Sequence, residues 1–512
     1  MNWKLKILLW TLASALPIAC CCSSAEKEED GPGTEQPEKP QPQEDVTTYI
    51  TTSDGIRLFS KGSLKFAKPG SMSPNQLRFE DDAAAKEVDG FGLAVTTASA
   101  YNLLKMSQED RTAILTELFS PTEGAGSGLI RVSIGASDFC LKDEYTWCDT
   151  KGLENFAVAK EDKDYLFPVL KEIYAINPDV KIIGSPWSCP KWMKGGSYGY
   201  EKFDKKYLER DFPNWTSGRL KPSCYADYAT YFVKWIQTMQ SEGFKIYAIT
   251  MQNEPLNHGN SMSMYMPWQD QKEFIKVLGP ALKDAGLEKV KILLFDHNYN
   301  YDNKDDQRNY PLNIYADALA SKWAAGSAWH SYGGDVSELD NIVTANPEKD
   351  IYFTEASIGE WNYNFGSCLL NDFSSIFLGT LKRGGMGVTL WNLMLDDKNA
   401  PYSPHNGSCK TCYGAVTINS SDYKTLTRNS HWYNVLHASV VIRPGAKMMK
   451  ISGFNAPSGV EVLMFKNTDG SIATVVCNKS SEEKTLVYGG EKYTVNFKIP
   501  SKCIASAIWM DK

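Results

Sequence analysis

The chain predicts an α/β fold: a (β/α)8 TIM barrel with an accessory antiparallel β-sandwich built from both chain ends. Three observations lead there. Eight short apolar runs between Phe91 and Trp391 alternate with stretches of helical periodicity, the rhythm of a parallel barrel. Two of those runs end close to glutamates, Glu254 and Glu355, which lie 101 positions apart. A barrel of roughly 250 residues spends about 30 per βα unit, so that spacing suits its fourth and seventh strands. Both flanks of this region read as short strands broken by turn residues, and 512 residues leave room for such an accessory domain.

From the N-terminus, residues 1–22 read as a targeting signal. Lys4 and Lys6 precede an apolar run, Ile7 to Ala19, of 13 residues, too short to span a bilayer. It ends at Ala19-Cys20-Cys21-Cys22, which resembles a bacterial lipoprotein signal with Cys20 as the lipidated residue. Pro17-Ile18 departs from the usual motif, so Cys21 stays open, as does an ordinary cleaved signal. Residues 23–45 are rich in Glu, Pro, Gln and Gly and cannot bury a core, as expected of a solvated tether. Its run Glu26-Lys27-Glu28-Glu29-Asp30 resembles the surface-export signal of some Gram-negative lipoproteins. The expectation is a lipid-anchored protein on the outer membrane or cell surface, with the periplasmic face as alternative. Nine cysteines follow the signal, and export permits disulfides. Cys140 and Cys148 are the expected close pair. Cys409-Lys-Thr-Cys412 is a lone CxxC with no second pair or histidine framework, so zinc is not expected there.

Residues 46–86 contain Thr48-Tyr-Ile-Thr51 and Ile56-Arg-Leu-Phe59 around an Asp54-Gly55 turn, the first part of the sandwich. Residues 429–512 supply the rest: Val460–Phe465, Ile472–Val476, Lys484–Tyr488, Tyr493–Phe497 and Ala505–Trp509, separated by turns at Asn467–Gly470 and Gly489-Gly490. Between them, residues 87–428 form the barrel. Its strands read as Phe91–Thr96, Leu129–Gly135, Lys181–Trp187, Ile246–Gln252, Lys291–Asp296, Gly326–His330, Ile351–Glu355 and Val388–Trp391. Before the fourth strand, Ala229, Phe232, Val233, Ile236 and Met239 repeat at helical spacing, and Gly243 sits where that helix should stop.

A net charge of −7 argues against nucleic acid or an anionic membrane surface as the main partner. The 14 Trp and 26 Tyr suit a cleft that stacks on sugar rings, although aromatics also fill cores. In such a barrel the active site lies at the C-terminal ends of the strands. There the sequence places Asp138, Trp187, Asn253, Glu254, His330, Tyr332, Glu355, Trp391 and Asn392. Each has a plainer reading: Trp187 as core, His330 as a satisfied buried histidine, Asp138 as a helix cap, Glu254 as a strand end. Their shared location favours chemistry. Hydrolysis of a glycoside by double displacement needs one carboxylate below the anomeric carbon and one protonated acid at the leaving oxygen. Their surroundings must hold the two pKa values apart. Asn253 offers an amide for a 2-hydroxyl, and Trp187 or Trp391 a flat apolar face. Past the fourth strand, Tyr265 and Trp268 form either a platform for the next sugar or a hydrophobic lid packed on the barrel.

Asp89-Gly-Phe-Gly92, Ile130-Arg-Val-Ser133 with Asp138-Phe139, Ser185-Pro-Trp-Ser-Cys-Pro-Lys-Trp192, Gln252-Asn-Glu-Pro255, Trp329-His-Ser-Tyr332, Thr354-Glu-Ala-Ser357 and Trp391-Asn392 occur in that order. The ordered set resembles glycoside hydrolase family 30, which includes glucosylceramidases and endo-β-1,6-glucanases. The resemblance implies that Glu254 is the acid/base and Glu355 the nucleophile. Asp138, Trp187, Asn253, His330, Tyr332 and Trp391 would then line the −1 sugar site. It implies no cofactor, no metal and no obligate protein partner. One departure is Leu93, in Gly90-Phe-Gly-Leu-Ala94, where the family has a second glycine. Asp138 and Trp187 match the glucose-gripping branch, and an exported lipoprotein suits a polysaccharide substrate. The expected activity is therefore a retaining endo-β-1,6-glucanase. A β-glucosylceramidase or exo-β-glucosidase is the alternative, followed by a xylanase or a non-catalytic glycan-binding lipoprotein.

Overall fold

The computed structural model describes residues 45–69, 76–196, 205–405, 407–489 and 492–511. The expected signal, Cys20, Cys21, nearly all of the tether and Gly490 of the expected turn lie outside them. Among the described residues no helix is long and apolar enough to cross a membrane.

Eight parallel strands form the barrel: β1 (Gly90–Leu93), β2 (Leu129–Ser133), β3 (Lys181–Ser185), β4 (Ile246–Thr250), β5 (Lys291–Asn298), β6 (Ala324–His330), β7 (Asp350–Glu355) and β8 (Gly387–Leu390). They are hydrogen-bonded in the order β1-β8-β7-β6-β5-β4-β3-β2. A parallel bridge between Ala94 and Arg131 brings β2 back to β1. Alternation along each strand sorts the side chains. Ile130, Val132, Ile351 and Phe353 face outward into the main core against the helices. Leu129, Ile183, Ala248, Leu293, Ala328 and Tyr352 point inward and make an apolar layer across the barrel. Below it, Asp89 accepts from the hydroxyls of Tyr247 and Tyr352 and from Lys181 Nζ. Above it the inward positions become polar, with Arg131, Ser185, Thr250 and Thr354 all buried. That change of chemistry one layer up marks the end of the barrel that carries the site.

The helix Tyr225–Ser241 buries Tyr228, Ala229, Tyr231, Phe232, Trp235, Ile236 and Met239. It stops just before Gly243, whose φ of +96° only glycine adopts without strain. Both ends of the described chain meet in the sandwich. Val46–Thr52 pairs antiparallel with Cys503–Met510 from Val46↔Trp509 to Thr52↔Cys503. The larger sheet also contains Ser60–Leu64, Ser471–Asn478, Val460–Lys466 and Lys447–Met448. The hairpin of Lys484–Gly489 and Thr494–Ile499 contributes Leu486, Tyr488, Val495 and Phe497 to the same apolar cluster as Val46, Val476 and Trp509. At the seam with the barrel, the buried ring of His437 reaches the hydroxyls of Ser506 (2.9 Å) and Thr51 (2.8 Å).

The cysteine pairing differs from the sequence expectation. Cys140 and Cys148 are both free, and the disulfide joins Cys409 to Cys412. Cys140 packs with Phe139 and Trp187 at the top of the barrel, whereas Cys148 packs with Trp147 in the helix layer. The Cys148 thiol donates to the Gly152 carbonyl at 3.3 Å. Nearness in sequence does not aim the two sulfurs at one another.

Candidate active site

Glu355 is the last residue of β7, and Glu254 lies just beyond β4. Glu254 has a φ of +45°, and its N–H donates to the carbonyl of Asp296, itself at φ +72°. Left-handed backbone at non-glycine residues is costly and concentrates at functional sites. These turns aim both carboxylates into one pocket of about 320 Å³. One oxygen of Glu254 and one of Glu355 lie within 4.8 Å of each other. A pair this close leaves no room for the water that an inverting glycosidase holds between carboxylates roughly 6.5–9.5 Å apart, and suits direct attack by one of them. A larger cavity of about 450 Å³, lined by Asp81, Asp82, Glu87, Lys447 and Lys466, sits at the sandwich.

Beneath the pair lies a buried charge network that the sequence reading did not single out. Arg131, fully buried on β2, donates to Glu355 Oε2 (2.5 Å), Asp296 Oδ2 (2.8 Å) and Asn253 Oδ1 (2.7 Å). Asp296 also accepts from Ser185 (3.0 Å), Thr250 (2.7 Å) and Thr354 (2.6 Å), and faces His330 Nε2 at 3.1 Å. Burial opposes its charge, but Arg131, His330 and Thr354 hold it far below the usual carboxylate range. His330 turns its other nitrogen to Glu254 Oε1 at 3.4 Å. Burial works against its charge too, yet Glu355, Asp296 and Glu254 lift it to about 9. His330 is fully buried against both glutamates and is not among the residues that line the pocket, where the resemblance placed it.

Burial pushes both glutamates up. In Glu254 the charges of His297 and His330 and the N–H of Asn257 outweigh burial and bring it to about 2. In Glu355 burial and the negative charge of Glu254 outweigh His330 and Arg131 and raise it. The sequence reading expects the reverse order, with the proton on Glu254. Two carboxylates this close compete for a single proton. Placing it on Glu254 removes the charge that raises Glu355. Glu355 then faces Arg131, a permanent cation, and accepts from Tyr332 Oη at 3.0 Å.

Of the other expected residues, Asp138, Trp187, Asn253, Tyr332 and Trp391 line the pocket. Trp187 and Trp391 lie 5.1 Å apart by ring centroid, with the Arg131 guanidinium 5.0 Å from the Trp187 ring. Burial, with the charges of Glu355 and Glu254, pushes Asp138 well above the carboxylate range, so it can enter as a neutral donor. Trp268 is elsewhere. It opens the helix Trp268–Asp284, rests against the main core and donates from Nε1 to the Asp306 carbonyl at 3.2 Å. It is not among the residues that line the pocket, and its packing fits the lid alternative. The exposed indole at the pocket is Trp361, 55% accessible, on the loop after β7. That loop has no periodicity to flag it. Asn257, His297 and the Cys409–Cys412 disulfide complete walls that the sequence reading missed.

Glu254, His330 and Glu355 also offer three ligand atoms within 4.8 Å of one another, the one such group among the described residues. All three already have partners, and the guanidinium on Glu355 opposes a second cation.

Comparison with known proteins places this geometry in context. Residues 88–440 match the glycosyl hydrolase family 30 TIM-barrel domain, and residues 445–507 the glycosyl hydrolase family 30 beta sandwich domain. The solved structure of the endo-β1,6-glucanase BT3312 superposes with a TM-score of 0.86 at 46% identity, covering 91% of this chain and all of that one. The endo-1,6-β-D-glucanase of Neurospora crassa is 32% identical over 456 residues, 85% of this chain and 88% of its own. The endo-1,6-β-D-glucanase neg1 of Aspergillus fumigatus is 31% identical over 466 residues, 86% and 88% of the two chains.

Proposed function

The chain belongs to glycosyl hydrolase family 30, and from that premise we propose that it is a retaining endo-β-1,6-glucanase with Glu355 as nucleophile and Glu254 as acid/base. The observation that carries the mechanism is the approach of the two carboxylates to within 4.8 Å. The linkage is supported by the named relatives of the chain.

In the first step Glu355, charge-paired with Arg131 and bonded by Tyr332, attacks the anomeric carbon from the face opposite the leaving oxygen. Glu254 gives its proton to that oxygen, the O6 of the departing glucose, and a glycosyl ester forms on Glu355. In the second step Glu254, now ionised, takes a proton from water as the water attacks the anomeric carbon and the Glu355 carboxylate leaves. Two displacements restore the β configuration. The neutral Asp138 carboxyl donates to a hydroxyl of the −1 glucose, Asn253 reaches its 2-hydroxyl, and Trp187 and Trp391 shape the apolar wall. The residues of the signal support attachment to the outer membrane through lipid on Cys20 or Cys21, tested by labelling with a radioactive fatty acid.

The test is product analysis of the full chain on linear β-1,6-glucan, with β-1,3-glucan, xylan and an aryl β-glucoside alongside. A ladder of short β-1,6-linked oligosaccharides early in the reaction is expected. Glucose alone, or activity confined to the aryl glucoside, would replace this reading with an exo-β-glucosidase or glucosylceramidase.

A further inference from the structure

The Cys409–Cys412 disulfide sits in the wall of the sugar pocket. On one side, Cys409 packs in the cluster of Phe139, Trp187 and Trp391, and its backbone N–H faces the Asp138 carboxyl. The same loop ties to Asp138 again where Ser403 N–H donates to its carbonyl at 2.7 Å. On the other side, Cys412 pairs with Gly359 in a two-residue antiparallel ladder, Ile358–Gly359 against Cys412–Tyr413. Glu360 N–H donates to the Thr411 carbonyl at 2.9 Å. Asn399 clamps the pair of segments by donating to Glu360 Oε1 (2.6 Å) and to the Lys410 carbonyl (3.2 Å). The Trp361 ring lies on Gly359 so closely that a Cβ there would fall 2.1 Å from Trp361 Cζ3 and 2.3 Å from the Thr411 carbonyl. One short covalent loop thus touches the acid that grips the sugar and the exposed indole at the pocket mouth.

We propose that the Cys409–Cys412 disulfide is a positioning element for glucan binding, holding Asp138 on one side of the pocket and Trp361 on the other. This rests on the glycosidase reading of the pocket. The bond leaves the catalytic pair alone, since Glu355 is held by Arg131 and Tyr332 and Glu254 by Asn257 and His330. It therefore acts on KM more than on kcat. Cys409 is half-buried, so a small dithiol reaches it. Reduction breaks one S–S bond, places two electrons and two protons on the two sulfurs, and leaves the dithiol as its own cyclic disulfide.

The experiment measures kcat and KM on β-1,6-glucan for the oxidised full chain, for the same protein reduced with dithiothreitol, and for a Cys409→Ser, Cys412→Ser double variant. A rise in KM of about tenfold is expected on reduction and in the variant, with kcat changed less than about twofold. In Asp138→Ala and Trp361→Ala the effect of reduction on KM shrinks, because one of its two outlets is gone. A lowered melting temperature with KM unchanged would reduce the disulfide to a structural staple and overturn the proposal. An undiminished effect in both single variants would also overturn it. A second arm measures binding of a β-1,6-linked gluco-oligosaccharide to Glu355→Gln by calorimetry, oxidised and reduced. If the oxidised wild type cleaves no glucan, the catalytic reading falls, and this arm decides the disulfide claim by whether affinity drops on reduction. No binding by the oxidised protein overturns both.

Discussion

Arg131 Nη1 donates to Glu355 Oε2 across 2.5 Å, tying β2 to β7 through the middle of the barrel. Arg131 has no exposed side-chain surface, and Glu355 very little. A guanidinium buried to this degree is tolerated only with partners, and it has Asp296 and Asn253 besides. The network fixes the carboxylate's orientation and charge before any sugar arrives, which is electrostatic preorganisation built into the strands.

Replacing Arg131 by Met leaves Asp296 and Glu355 buried beside one another without their permanent cation. Removing one partner of a buried pair costs about 3–5 kcal/mol. Urea unfolding of Arg131→Met should show a loss of that order. Arg131→Lys keeps the charge but not the guanidinium that reaches four acceptors, Glu355, Asp296, Asn253 and Ser185, so it should lose less stability and still fall in kcat. Wild-type kcat in Arg131→Lys would count against a role in holding the nucleophile.

The two glutamates should separate by substrate. Glu355→Gln removes the attacking group and should abolish turnover on every β-glucoside while glucan still binds. Glu254→Gln loses acid/base assistance, worth about 10²–10⁴-fold. Its first step should survive on a substrate whose leaving group needs no proton, such as a dinitrophenyl glycoside, and azide should then rescue turnover. Identical behaviour of the two variants would undo the assignment of roles.

Two buried histidines should shape stability on either side of pH 6.5. Burial holds His437 down at about 3, against an ordinary 6.5. The unfolded chain then binds the extra proton, so its contribution is complete above pH 6.5 and drains away as pH falls toward 3. His330 runs the other way. Raised to about 9, it contributes fully below pH 6.5 and loses that contribution as pH climbs through 9. Each limb has a limiting slope of about 1.4 kcal/mol per pH unit. Urea midpoints measured across pH should fall on both sides, and His437→Asn should flatten the acid limb while sparing the alkaline one.

Trp268→Ala should behave as a packing variant. Its ring packs against the core, its Nε1 donates to the Asp306 carbonyl, and it does not line the pocket. Loss of a large aromatic from a packed site costs about 3–5 kcal/mol when fully buried. This half-covered ring should cost less. KM and the product ladder on β-1,6-glucan should stay as in wild type, whereas Trp361→Ala should raise KM.

Sequence carried the barrel because its strands are buried on both faces and read as apolar runs, and because Glu254 and Glu355 stand at strand exits. It carried the sandwich through short strand-like runs broken by turn residues at both ends. Arg131 was hidden inside Leu129-Ile-Arg-Val-Ser133. An arginine in a run that should be wholly buried was itself the available signal, since such a charge needs buried partners. Asp296 could have been suspected on the same ground, at the exit of Ile292–Phe295. Trp361 gave no local signal, because its place at the pocket is set by the ladder between Gly359 and Cys412. Trp268 misled for a related reason: an aromatic after a catalytic strand looks like a platform until the chain shows that it starts a helix.

Double displacement on β-1,6-glucan by Glu254 and Glu355 leaves its mark in the configuration of the new reducing ends. Proton NMR of a digest by the full chain, recorded before the new reducing ends mutarotate, tests it most directly. β-Configured reducing ends of short β-1,6-linked oligosaccharides should appear first, and the α anomer should follow only with time. Initial α-configured ends would mean inversion and contradict the reading of the 4.8 Å approach.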